Sequence, residues 1–138
     1  MSDPSSPQQW LALAAQHEHI ARFAAESKTL GAQAHFHVGL GVECALKAHI
    51  MRREHLNKWP DKASRPDLHV HDLRKLATIA GIPISPTSPI AAAWKVVMDW
   101  DRNQGYDPKP MPRRVARSWV EAAFGAEGVV SWIRTQSK

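Results

Sequence analysis

Three neighbouring polar side chains late in the chain, Arg102, Asn103 and Tyr106, offer the chemistry that contacts with a phosphate and a base require. A guanidinium donates planar, charge-assisted hydrogen bonds, an amide both donates and accepts, and a phenol ring stacks on a base. These residues are therefore the first candidates for nucleotide or RNA binding. The alternative is structural. Arg102 would then pair with Asp99 or Asp101. Tyr106 would fill the edge of the fold.

Two further groups are weaker candidates for contacts with the same ligand. His69 and His71 lie where a loop enters a helix, so they either cap that helix or titrate beside a ligand. Lys47 follows Glu43 by four residues, which is the spacing of an ordinary helical ion pair. In the functional alternative, Lys47 lies inside the bundle and faces a phosphate or the carboxylate of a partner.

The histidines do not predict a metal site, although three His-X-His pairs occur in the sequence. The pairs are His17 with His19, His35 with His37, and His69 with His71. Residues two apart on a helix point about 200° apart, so neither of the first two pairs can share one ion. No Cys-rich or His-Glu-X-X-His pattern is present. We expect no metal and no other cofactor, and we interpret Cys44, the single cysteine, as a buried thiol.

Apolar residues that recur every three or four positions predict an all-α antiparallel bundle of about five helices. Residues 1–138 are expected to form a single domain. The predicted helices cover 7–27, 30–55, 73–80, 89–103 and 112–133. Ser6 and Pro7 are typical of a helix start. Gly81 followed by Pro83 is typical of a helix end.

The second and last of these helices carry the most information about packing. The second helix is the predicted centre of the bundle, and its Gly39 and Gly41 suggest that another backbone comes close. The last helix has the most regular amphipathic pattern, with steps of four and three residues. That pattern consists of Val115, Trp119, Ala122, Ala126, Val129 and Ile133.

Composition limits the class of protein. An apolar share of 43% predicts a folded chain, and no apolar stretch is long enough to span a bilayer. The first ten residues lack the pattern of a secretory signal, so a cytoplasmic protein is expected. The formal net charge of +5 permits contact with nucleic acid without requiring it.

Three segments resemble the HEPN family of helical domains. The string HFHVGLGVECALKAHI at 35–50 resembles the family's second helix, and HVHDLRKLATIAGI at 69–82 looks like its short helix that ends in glycine. Trp94, Trp100 and DRNQGYDP at 101–108 look like its late helix and the region that follows. The resemblance implies a bundle that often dimerises. It also implies a link to nucleotide chemistry, including ribonucleases, toxin-antitoxin pairs and partners of minimal nucleotidyltransferases.

The chain departs from the ribonucleases of this family at one point. They resemble one another in an Arg with a His four to six residues later, but no His follows Arg102. Arg65 and His71 have that spacing, yet they lie in the long loop and at the start of the third helix. The sequence therefore predicts a non-catalytic HEPN-type module that binds a nucleotide, RNA or a protein partner.

Two other functions remain open. In a metal-independent ribonuclease, His69 or His71 would act as the general acid or base while Arg102 binds the phosphate. A purely structural interaction domain would have no small ligand. The expected partners are a second copy of the chain, in a homodimer, and a nucleotidyltransferase-type protein.

Overall fold

The computed structural model describes residues 4–82 and 85–136, and within these ranges the regular secondary structure is helical. These ranges contain the α-helices α1 (Pro7–Ala25), α2 (Gly31–Arg53), α3 (Leu73–Ala80), α4 (Ala91–Val97), α5 (Arg113–Phe124) and α6 (Val129–Gln136). Short 3₁₀ turns cover Pro66–Leu68 and Arg102–Tyr106. The prediction of an all-α bundle is confirmed.

The start of α1 follows the predicted capping pattern. The Ser6 hydroxyl accepts a hydrogen bond from the Gln9 backbone N–H at 3.1 Å, and Pro7 occupies the first turn, where a missing N–H costs nothing. The Gln9 side chain accepts from the Ser5 N–H at 2.7 Å, one residue before the expected partner. The helix then packs along α2. The two helices are antiparallel, since Trp10 lies beside Lys47 and His17 lies beside His37.

Helix α2 forms the centre of the fold, as predicted, and it contacts α1, α3, α5 and α6. The nearest atoms to its two mid-helix glycines belong to aromatic rings, and Gly41 also lies close to the Cβ atom of His17 on α1. A Cβ atom at Gly39 would overlap the indole of Trp100. A Cβ atom at Gly41 would lie 2.6 Å from Cζ of Phe124. Each glycine therefore leaves space for an aromatic ring that a Cβ atom would fill.

Helix α3 begins and ends at predicted positions, but its cap comes from a residue that the sequence reading passed over. The Asp72 carboxylate accepts hydrogen bonds from the backbone N–H groups of Arg74 and Lys75 at 2.9 and 3.2 Å. Neither His69 nor His71 fills this role. Gly81 ends the helix with a positive φ of 64°, which glycine adopts without strain. Pro83, the second predicted stop signal, lies outside the described residues.

Helix α4 is shorter than predicted at both ends. It begins at Ala91, and it ends at Val97 although the expected end lay at 102–103. Tertiary contacts override the local pattern here. The Trp100 indole N–H donates to the His35 carbonyl at 2.8 Å, and the His35 ring donates to the Asp101 carbonyl at 3.2 Å. These bonds hold the chain away from a helical course, so Arg102 opens a 3₁₀ turn.

The predicted last helix is interrupted, which gives the described ranges one more α-helix than expected. Helix α5 ends at Phe124 and α6 begins at Val129, while Ala126, assigned to the buried face, is exposed. Gly125 is extended, and the Gly128 N–H bonds to its carbonyl at 2.9 Å. A Cβ atom at Gly128 would lie 2.7 Å from the Ala123 carbonyl oxygen, so this tight turn depends on glycine.

Within the described ranges, none of the helices combines the length and the apolarity needed to cross a bilayer.

Candidate functional site

An open cavity of about 330 Å³ lies between the start of α3 and the segment that follows α4. It brings together polar side chains from two parts of the chain that are far apart in sequence. Its described lining residues are His71, Asp72, Leu73, Arg74, Met98, Trp100, Asp101 and Arg102. Two of the candidate residues, His71 and Arg102, are therefore neighbours around one space.

His71 is held by a buried carboxylate on the central helix. Its ring Nδ1 lies 2.8 Å from Oε1 of Glu43, and the other oxygen, Oε2, accepts a hydrogen bond from Nζ of Lys47 at 3.2 Å. A carboxylate that pairs with an ammonium group only accepts hydrogen bonds, so Nδ1 of His71 donates. Nε2 is then the ring nitrogen that remains for a ligand, on a side chain that is 52% exposed. It accepts a hydrogen bond in the neutral ring and donates one to an anion in the protonated ring.

Lys47 is enclosed between two tryptophans. Its Nζ lies 5.0 Å from the centroid of the Trp10 ring and 5.4 Å from that of Trp59, within the range of cation–π attraction. The side chains of Glu43 and Lys47 are each only 8% exposed. The charge of Lys47 is thus paired inside the protein with the Glu43 carboxylate, which orients His71.

Arg102 emerges at the surface, and its two neighbouring carboxylates each bond to another group. Asp99 accepts from Arg74 at 2.9 Å, and the Asp101 side chain accepts from the Asn103 backbone N–H at 2.9 Å. In the described part of the chain, Arg102 forms no ion pair with either aspartate. The structural alternative, in which Arg102 pairs with Asp99 or Asp101, is therefore wrong. The guanidinium of Arg102 is available to a ligand.

The remaining candidates lie apart from this cavity. Tyr106 is 72% exposed, and its ring packs edge-on against Phe36 with centroids 6.5 Å apart. Asn103 is exposed in the same 3₁₀ turn, but its side chain is not among the described lining groups. The ring Nε2 of His69 donates to the Pro60 carbonyl at 2.6 Å, which fixes the long loop. Tyr106 is therefore not among the described residues that line the cavity with Arg102.

Sequence reasoning missed several residues of the site, including a second arginine and a tryptophan. Arg74 lines the cavity beside His71, and Trp100 forms part of its wall. The string His-Asp-Leu-Arg could have located Arg74, because an aspartate that caps a helix determines where the side chains of the first turn point. The pairing of His71 with Glu43 had no such signal, since the two are 28 residues apart.

Two histidines of different His-X-His pairs meet where α1 and α2 pack together. Nδ1 of His17 lies 2.9 Å from Nδ1 of His37, and the ring centroids are 5.2 Å apart. With one ring nitrogen protonated and the other bare, this contact is a hydrogen bond between helices. Among the described residues, no group of three or more His, Cys, Asp or Glu side chains is arranged to hold a metal ion.

Burial changes the acid–base behaviour of several groups. It raises the pKa of the Cys44 thiol to about 12, so the thiolate is suppressed near neutral pH. It also lowers the pKa of four imidazoles below the ordinary value of 6.5 and is the largest cause at each. These are His17, His35, His37 and His49.

We expect the free energy of unfolding to fall as the pH drops from about 7.5 to about 5.5, because the unfolded chain takes up more protons at these imidazoles than the folded chain does. Their stabilising contribution is complete above 6.5, the unfolded pKa, and is lost as the pH falls through the lowered folded values. Urea unfolding at both pH values measures this slope. His35→Gln, which keeps a donor near the Asp101 carbonyl, should flatten it. Equal stability at both pH values would contradict the expectation.

Comparisons with known proteins add no relative. No protein-family model, no curated protein and no solved structure matches the chain.

Proposed function

We propose that this chain is a non-catalytic HEPN-type module that binds a phosphate group of a nucleotide or RNA in the cavity lined by His71 and Arg102. One observation carries the proposal: a guanidinium without an acidic partner and an oriented imidazole, distant in sequence, line the same open space. Guanidinium groups bind phosphate through paired, charge-assisted hydrogen bonds. Arg74 adds a second guanidinium at the same wall.

The two aspartates of the cavity do not oppose an anion strongly. Asp72 accepts two backbone N–H groups at the start of α3, and Asp101 accepts one at the start of its 3₁₀ turn. Hydrogen bonds from these backbone dipoles offset part of each negative charge. The net charge of +5 also favours the approach of a polyanion such as RNA.

Replacing Arg102 with alanine tests the proposal. We expect the dissociation constant for inorganic phosphate, and for a short single-stranded RNA, to rise about 10- to 100-fold, because a charge-assisted hydrogen bond contributes roughly 1.5–3 kcal/mol. Isothermal titration calorimetry at low salt measures both ligands. Arg114→Ala removes the same charge from an exposed position outside the cavity and serves as the matched control. Equal losses in both variants, or none in Arg102→Ala, would contradict the proposed site.

A metal-independent ribonuclease is the second candidate, and the pairing of His71 with Glu43 favours it. Nε2 of His71 would take the proton from a ribose 2′-hydroxyl as that oxygen attacks phosphorus, and the departing 5′-oxygen would need a proton in turn. Among the described lining residues of the cavity, His71 is the one imidazole. Binding is therefore the primary proposal, and rapid RNA cleavage that His71→Ala abolishes would favour the enzyme instead.

The homodimer and a nucleotidyltransferase-type partner belong to the same proposal. Exposed apolar side chains offer contact area for either, among them Phe23 on α1, which is 71% exposed, and Tyr106. A cytoplasmic location is part of the proposal as well.

A further inference from the structure

A second cavity, of about 520 Å³, lies on the outer face of α3. Its described lining residues are Asp67, Val70, Arg74, Lys75, Thr78 and Ile79. Arg74 lines this cavity and the phosphate cavity alike, so the two spaces share one wall.

We propose that this second cavity holds the base of a nucleotide whose phosphate lies beside His71 and Arg102. The inference rests on the proposed function, because it needs a phosphate in the first cavity. The proposed ligand is then a nucleotide, in which a sugar joins a planar base to a phosphate, and not a simple anion.

The floor of the second cavity suits a base. Val70 and Ile79 are half-buried apolar side chains, so each presents part of its surface to the space and is fixed by packing behind it. Arg74 contributes its aliphatic stem and a guanidinium plane, on which bases stack. A free phosphate would gain nothing from these apolar surfaces.

Two of the polar groups at the second cavity, Asp67 and Thr78, already have partners, while Lys75 adds a cation to the lining. The Asp67 carboxylate pairs with Arg65, and the Thr78 hydroxyl donates to the Arg74 carbonyl at 3.0 Å. Arg74 itself is anchored by Asp99 at 2.9 Å. This ion pair anchors a side chain that lines both spaces, so its N–H edge is offered to a phosphate and its plane to a base.

We expect the wild-type protein to bind adenosine 5′-monophosphate about tenfold more tightly than inorganic phosphate, because stacking of one base increases the affinity by about this factor. Ile79→Ser should remove most of this difference and leave the dissociation constant for phosphate unchanged. Ile20→Ser makes the same change at an exposed position on α1 and should leave both constants unchanged. Calorimetry with phosphate, adenosine and the nucleotide gives the three constants for each variant.

The outcomes separate the two proposals. Equal affinities for phosphate and the nucleotide in the wild type, or an unchanged ratio in Ile79→Ser, would overturn the base site alone. Tight binding of adenosine with no binding of phosphate would overturn the proposed function and the joint site. Absence of saturable binding by all three ligands overturns both. Should Ile79→Ser fail to fold, Val70→Thr keeps the side-chain shape, adds a hydroxyl to the same floor and is expected to reduce the ratio in the same way.

Discussion

Replacing Glu43 with glutamine is expected to destabilise the fold by roughly 3–5 kcal/mol, because it leaves the ammonium group of Lys47 buried without its counter-charge. Glu43 and Lys47 are almost fully enclosed, so water cannot take over the lost interaction. The tryptophan rings around Lys47 attract a cation but do not neutralise it. Urea unfolding followed by circular dichroism measures the change.

The matched control for this substitution lies on α1. Glu18 and Arg22 form an ion pair with the same spacing of four residues, but both side chains are substantially exposed. Glu18→Gln should therefore cost less than about 0.5 kcal/mol. A double variant, Glu43→Gln with Lys47→Met, should recover much of the lost stability, since it removes the buried charge as well. If Glu43→Gln costs no more than the control, the buried pair does not carry the stability assigned to it.

The second large effect is expected at Gly39. Gly39→Ala should destabilise the fold by about 1–3 kcal/mol, although alanine favours helix over glycine by up to about 1 kcal/mol. The added methyl group would overlap the indole of Trp100, a rigid ring that cannot bend away as a long aliphatic chain does. Because Trp100 lines the cavity proposed to bind phosphate, the substitution should also weaken phosphate binding. Thermal unfolding and phosphate calorimetry on the same sample measure both effects.

A double-mutant cycle with Trp100 isolates the clash. In a Trp100→Ala background the space above Gly39 is open, so Gly39→Ala should become neutral or slightly stabilising there. Destabilisation of equal size in both backgrounds would mean that the ring is not the cause.

The sequence predicted the helix ends that depend on residues close to one another along the chain. Ser6 with Pro7 gave the start of α1, and Gly81 gave the end of α3, because capping bonds and positive φ angles involve residues close in sequence. The central position of α2 also followed from its apolar pattern, since a helix that is apolar on several faces must be surrounded.

One error arose where distant contacts decide the structure, and the other arose at a local turn that depends on glycine. The end of α4 at Val97 depends on hydrogen bonds between the segment after it and His35, on another helix. The break before α6 depends on Gly128, whose missing side chain lets the chain approach Ala123. An apolar period of three and four continues through such a turn, so periodicity alone predicted one helix.

For the candidate site, too, the sequence predicted some features and the fold determined the others. The sequence identified Arg102 and His71 as suitable chemistry, but their common cavity is a property of the fold. It assigned Lys47 to an ordinary helical pair, and that pair is present, though buried and bonded onward to His71 through Glu43. The contact between His17 and His37 joins two helices, so spacing within either helix could not predict it.

The most direct test of the phosphate cavity is a titration of the isotope-labelled protein with inorganic phosphate, followed by nuclear magnetic resonance of its side chains. We expect the imidazole signals of His71 and the guanidinium signals of Arg102 to shift together and to saturate at one dissociation constant. The basic start of α5, with Arg113 and Arg114, should respond weakly and without saturation, as exposed charges do. Saturable shifts at α5 with His71 and Arg102 unchanged would contradict the assignment of the site.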